Sequence, residues 1–282
     1  MQRKKTTINY DGRLIDFSEP AVMGIINVTP DSFYPESRRS GERQIVERAN
    51  QIIEEGGTII DLGAYSSRPR AENITVDEEL NRLLPAVETI KNRFPDAMLS
   101  IDTFRSEIVR RLFDRYGCII VNDISAGEID KNMIPTVGRL KLPYIAGHMR
   151  GTPADMHEKC GYDNVAADMV KYFSVKIHET RTAGINDLII DPGFGFAKTI
   201  EENYELLYKL DYLNIVGLPI TVGLSRKSMF YEPLNAGPDD VLPATTAAHT
   251  VALEKGADIL RVHDVKAAYQ TIEVFMRLKS KK

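Results

Sequence analysis

Eight short apolar runs, separated by stretches with helical spacing, limit most strongly what this chain can fold into. In order they are Val22–Val28, Thr58–Leu62, Met98–Ile101, Cys118–Val121, Pro143–Ala146, Leu188–Ile190, Ile220–Val222 and Ile259–Val262. The runs are nearly continuous rather than alternating, which is the pattern of strands covered on both faces in a parallel sheet. Between them, Glu42–Glu55 spaces Ile45, Ala49, Ile52 and Ile53 as a helix does and stops at Gly56-Gly57. Glu78–Arg93 puts Leu80, Leu83, Leu84, Val87 and Ile90 on one face, while Asn164–Ala183 and Thr245–Lys255 each end at a glycine. Eight strand–helix units in one series predict an α/β fold, a (β/α)8 TIM barrel; an open doubly wound sheet, which normally has fewer strands, is the alternative. Ahead of the first run, "INYDGRLIDF" reads as two strands around Asp11-Gly12, a hairpin expected to cap the barrel floor within residues 1–20. No repeat, long linker or low-complexity segment interrupts residues 1–282, so they read as a single domain.

Composition removes several classes of function. A formal charge of −4, with no basic block except the tail at Lys279–Lys282, argues against a nucleic-acid surface. No stretch of membrane-spanning length is apolar, and the first residues hold no signal-peptide core, so no membrane partner and a cytoplasmic location are expected. The two cysteines, Cys118 and Cys160, allow at most one bridge, and a chain with a core this size does not need it.

Barrel chemistry sits where strands finish. The polar residues at the eight strand ends are Asn27, Asp61, Asp102, Asn122, His148, Asp191, Ser225 and the pair Arg261/His263. Any one of these reads equally well as a cap or turn residue, but eight at one mouth describe a binding site. The five histidines show no metal-ligand spacing and the cysteines no cluster, which argues against a transition-metal hydrolase. What remains are Asp and Asn from the middle strands and cations from the late ones. That mixture suits a heterocycle held by in-plane hydrogen bonds beside an anion. "GLSRKSM" places Arg226 and Lys227 after the seventh strand, and "LRVHDV" places Arg261 and His263 two apart on the eighth, hence on one side of it. Two long early loops, "NVTPDSFYPESRRSGE" and "GAYSSRPRAENITVDEE", read as plain connections or as mobile lids over an anionic reactant.

Taken together and in order, "GIINVTPDSF", "SSRP", "SIDTFRSEIV", "VNDISAG", "HMRGTP", "DPGFGFAKTIEEN", "GLSRKS" and "RVHDV" resemble the dihydropteroate synthase family over Met23 to Val265. The resemblance implies a transferase of folate biosynthesis. Its reaction condenses 6-hydroxymethyl-7,8-dihydropterin diphosphate with 4-aminobenzoate, giving 7,8-dihydropteroate and releasing diphosphate. It implies that Asp102, Asn122, Asp191 and Lys227 bond the pterin, with Met149 and Phe196 packing on it. Asn27, Arg261 and His263 match the diphosphate site, with Asn27 also the contact to a Mg²⁺ cofactor. Ser67, Arg68 and Pro69, with Lys227 and Ser228, border the aminobenzoate. The catalytic set it implies is Asn27, Arg68, Lys227, Arg261 and His263. It also implies a sulfonamide target and a homodimer joined through the late barrel helices.

The chain departs from the family pattern twice. Tyr34-Pro35-Glu36-Ser37 stands where the family carries Ser-Asp-Gly-Gly, and Tyr65 and Arg70 flank the "SSRP" motif where the family has Glu and Gly. Three other readings of such a barrel are a corrinoid-linked methyltransferase, a Schiff-base aldolase using Lys227, and a pterin-binding protein without catalysis. The first would leave "SRKS" and "RVHDV" without an anion to hold.

Overall fold

The computed structural model describes residues 4–28, 38–65 and 74–280. The hairpin forms as expected: β1 (Thr7–Tyr10) pairs antiparallel with β2 (Arg13–Asp16). Asp11 and Gly12 both take positive φ, and the Asn9 side chain accepts the Gly12 N–H.

The eight barrel strands are β3 (Ala21–Asn27), β4 (Ile59–Gly63), β5 (Met98–Asp102), β6 (Ile120–Asp123), β7 (Tyr144–Gly147), β8 (Leu188–Asp191), β9 (Thr221–Val222) and β10 (Ile259–Val262). They run parallel in the order β8-β7-β6-β5-β4-β3-β10-β9. A bridge between Ile190 and Ile220 brings the two ends of the sheet together. The helices are α1 (Arg38–Glu54), α2 (Val76–Arg93), α3 (Ser106–Tyr116), α4 (Met133–Leu140), α5 (Val165–Thr182), α6 (Ile200–Tyr208), α7 (Ser228–Tyr231), α8 (Leu242–Glu254) and α9 (Val265–Lys279). This is the (β/α)8 barrel that the alternation predicts, not the open sheet.

One strand lies two residues later than its apolar run. Cys118 and Ile119 are outside β6 because the Cys118 carbonyl accepts from Lys91 Nζ at 3.0 Å, at the barrel floor, instead of a neighbouring strand. Helix α2 begins at a capping box: Thr75 Oγ1 accepts the Glu78 N–H, and Glu78 accepts the Thr75 N–H at 2.7 Å.

The period of two along each strand divides the barrel interior into levels. Near the strand starts, Met23, Ile59, Met98, Ile120, Ile145, Ile189 and Ile259 pack in one apolar cluster with Ile8, Tyr10 and Phe17 of the hairpin segment. The Tyr10 hydroxyl accepts the Leu99 N–H at 3.1 Å, and Lys4 pairs with Asp258 at 2.7 Å, so the hairpin is bonded to the floor as well as packed on it. Two residues further along the same strands the interior turns polar: Asp61, Ser100, Asn122, Asp191 and Arg261. A dry floor therefore supports a charged mouth.

Candidate active site

The polar level is organised around Arg261. Its Nε donates to Asp61 at 2.7 Å, and its Nη2 reaches Asp102 at 2.5 Å. Asp61 is completely buried and also accepts weakly from Asn122 Nδ2 at 3.4 Å. Burial opposes the charge on Arg261, but the two carboxylates more than offset it and hold the guanidinium above its ordinary value. Asp102 is pushed up to about 7: desolvation raises it, Arg261 opposes, and the nearby Asp61 carboxylate adds to the rise.

Above this level a pocket opens, lined by Asn122, Ile124, Gly147, Asp191, Gly193, Phe194, Phe196, Gly223, Lys227 and Arg261. The lining mixes apolar walls with a few convergent polar groups, as small-molecule sites do. Burial raises Asp191, while the Gly193 N–H bonded to Oδ1 at 2.7 Å pulls the other way. Among the described residues Oδ2 accepts no hydrogen bond. Asp191 is thus both a turn residue and a candidate ligand group.

The segment after Asp191 has a backbone that few residues can adopt. Gly193, Gly195 and Ala197 all have positive φ. A Cβ on Gly193 would lie 2.0 Å from the His148 carbonyl oxygen, so only glycine fits. Asn203 of α6 accepts the Gly195 N–H at 2.7 Å, and Phe196 closes a turn by donating its N–H to the Gly193 carbonyl. The Phe196 ring lies 4.5 Å from Lys227 Nζ. Met149 packs in the same small apolar cluster as Phe196, with Met156, Ala197 and Ile124. Enclosure lowers Lys227 to about 8, with Arg261 adding to the fall and Asp191 and Asp102 opposing it.

His263, just past β10, has its Nδ1 3.1 Å from Ser225 Oγ. Ser225 Oγ also accepts the His263 backbone N–H at 3.2 Å, so the serine fixes the ring's orientation from two sides. Burial lowers the ring to about 4, with Arg261 and Arg226 contributing, so it is neutral at neutral pH. Asn27 is exposed at the end of β3, opposite Gly63. Ser228 opens α7 directly after Lys227.

Of the strand-end residues, Asn122, Asp191 and Arg261 line the pocket, whereas Asn27, Asp61, Asp102, Ser225 and His263 lie outside its lining; His148 and the late cation Arg226 are held elsewhere. Arg226 takes a left-handed backbone and binds Asp264 with both Nε (3.0 Å) and Nη2 (2.7 Å), and Asp239 with Nη1. Only Lys227 of that pair lines the pocket. His148 is buried, with Nδ1 3.1 Å from Lys198 Nζ and its ring edge-on to Tyr172. Ser67, Arg68 and Pro69, together with Tyr34, Pro35, Glu36, Ser37 and Arg70, lie outside the described residues.

Sequence reasoning misses Ile124, Gly147, Gly223 and Lys198. The glycines carry a signal: each follows an apolar run at a strand end, and a Cβ on Gly147 would lie 2.7 Å from Ile124 Cα. Nothing in the pattern around Lys198 marks it as buried.

The fold and this site define a barrel enzyme built for a flat, nitrogen-rich heterocycle, and residues 23–263 match the family described as pterin binding enzyme. The dihydropteroate synthase of Escherichia coli strain K12 is 40% identical over 265 residues, covering 93% of each chain. The Yersinia pestis dihydropteroate synthase, solved with a sulfonamide drug complex, superposes with a TM-score of 0.89 at 35% identity, covering 97% of this chain and 99% of that one. The Xanthomonas albilineans dihydropteroate synthase, solved with 4-aminobenzoic acid, gives 0.88 at 34% identity, with 97% and 98% covered. The chain belongs to the pterin-binding enzymes and, among them, to the dihydropteroate synthase family.

Proposed function

We propose that the pocket binds 6-hydroxymethyl-7,8-dihydropterin diphosphate and that the chain transfers its pterinylmethyl group to 4-aminobenzoate, releasing diphosphate. The observation that carries this reading is the convergence of Asn122, Asp191, Lys227 and Arg261 on one pocket. Asp191 accepts paired N–H bonds from the aminopyrimidine edge, a charge-assisted fit. Asn122 and Asp102 complete that edge, Lys227 donates to the ring, and Phe196 and Met149 supply the apolar wall. Arg261 and the neutral His263 ring face the leaving diphosphate, where charge grows as the C–O bond breaks. The departing group leaves a methylene cation delocalised into the electron-rich pterin. The amine nitrogen of 4-aminobenzoate attacks that carbon and then loses a proton, and no covalent enzyme intermediate is needed. Arg68, with Ser67, Pro69 and Ser228, borders the aminobenzoate in this reading.

Mg²⁺ is the expected cofactor. Among the described residues no group of three carboxylate, imidazole or thiolate side chains could cage it, but the exposed Asn27 carboxamide is the hard oxygen donor it accepts beside substrate oxygens and water. When bound, the ion supplies Lewis-acid stabilisation of the diphosphate.

Among the described residues no helix is long and apolar enough to cross a membrane; we place the protein in the cytosol. The direct test is diphosphate release with both substrates, each omitted in turn. Release that needs both, with 7,8-dihydropteroate formed in equal amount, supports the reading. Release indifferent to 4-aminobenzoate contradicts it.

A further inference from the structure

Lys198 lies beneath the glycine turn, only 6% exposed. Its Nζ is 3.0 Å from the Gly193 carbonyl, 3.1 Å from the Phe196 carbonyl and 3.1 Å from His148 Nδ1. An ammonium has three donors and no acceptor, so in the protonated state these three acceptors match it one for one and His148 is the Nε2–H tautomer; burial lowers this lysine to about 7. Among the described residues no carboxylate forms an ion pair with this Nζ. A cation buried on neutral acceptors is costly, and a methionine would fill the same space without that cost.

The acceptors indicate what the cation does. The Gly193 and Phe196 carbonyls are the two ends of one turn, already closed by the Phe196 N–H. That turn starts from the N–H bonded to Asp191 Oδ1 and finishes on the ring beneath Lys227. The other side of Lys198 is fixed as well: Asn203 Nδ2 donates to its carbonyl at 3.2 Å.

We propose that Lys198 is a positioning residue of the pterin pocket: its ammonium ties both ends of the Gly193–Phe196 turn to His148 and so aims the Asp191 carboxylate and the Phe196 ring at the bound heterocycle. The inference rests on the pterin-binding reading above. Lys198 touches no substrate; it acts through Asp191 and Phe196.

The test is the Lys198→Met variant of the full chain, titrated with 6-hydroxymethyl-7,8-dihydropterin diphosphate and then assayed with 4-aminobenzoate. The Kd and KM for the pterin substrate should rise about tenfold or more, the range expected when charge-assisted bonds are lost. The KM for 4-aminobenzoate should stay within about twofold, since that substrate enters on the Lys227–Ser228 side. A merely structural role would lower the melting temperature and the active fraction while leaving the pterin KM unchanged, and that result overturns the proposal. Two further variants keep the question open to test if Lys198→Met does not fold. His148→Phe removes one acceptor and should weaken pterin binding less, while His148→Asn keeps an acceptor and should stay near wild type. Equal pterin affinity in the Phe and Asn variants also overturns it. A wild-type chain that binds no pterin sinks the functional reading itself, whereas normal binding by both wild type and Lys198→Met sinks only the role of Lys198.

Discussion

At the scale of single residues, the site is a set of charges that neutralise one another until a ligand arrives. Asp191→Asn should separate fold from function. The amide oxygen can still accept the Gly193 N–H, so thermal stability should change little, but its NH₂ would oppose the pterin donors. Pterin affinity should fall by about 2–3 kcal/mol, measured by calorimetry. Arg261→Ala has a different signature. It strands the fully buried Asp61 as well as removing the proposed diphosphate contact, so it should cost about 3 kcal/mol of stability. Asp61→Asn in the same chain should recover part of that loss in urea unfolding, and diphosphate binding should stay impaired. Lys227 predicts a pH dependence. Its value is lowered to about 8, so the ammonium is present below that pH and lost above it. The kcat/KM for the pterin substrate should therefore decline as pH rises through 8. Lys227→Met should be less active at pH 7 and should lose the part of the decline centred near 8; a decline near 8 unchanged in the variant would remove Lys227 as its source.

At the scale of elements, the turn after β8 shows where sequence reading works and where it stops. The strand–Asp–glycine order marks Asp191 as a site residue, because a carboxylate at the end of a buried parallel strand faces the mouth. The left-handed turn is legible from its glycines, but Lys198 is not, because burial of a lysine depends on carbonyls arranged in three dimensions. The same limit explains Arg226 and Lys227. They are adjacent and equally basic in sequence, yet Asp264 and Asp239 claim the first and leave the second for the pocket. Strand boundaries slip where a residue bonds elsewhere, as Cys118 does at the floor. Gly193→Ala tests the turn directly. With φ at 67° and a Cβ 2.0 Å from the His148 oxygen, it should destabilise the protein by about 2 kcal/mol or more and weaken pterin binding. An alanine variant that melts and binds like wild type would contradict the turn geometry.

At the scale of the whole molecule, a sealed floor lets one end of the barrel be dry and the other charged. Tyr10 joins the two parts of that floor, so Tyr10→Phe, which leaves the Leu99 N–H unpaired in the core, should cost about 1–2 kcal/mol in unfolding without altering either KM. We also propose a homodimer through α8 and α9, where Val251, Val274 and Leu278 are exposed apolar side chains. Sedimentation should give twice the chain mass, and Val274→Glu should halve it. The barrel, its hairpin and most of the pocket are legible from the alternation of runs and from the family motifs. The proposed aminobenzoate border of Ser67, Arg68 and Pro69 is legible only through the family motif "SSRP". The most direct measurement is a crystal structure of the protein bound to the dihydropterin diphosphate. The heterocycle should lie in the pocket between Asn122, Asp191 and Lys227, with its diphosphate at Arg261 and His263. A ligand seated elsewhere, or in that pocket with its diphosphate away from Arg261 and His263, would contradict the account.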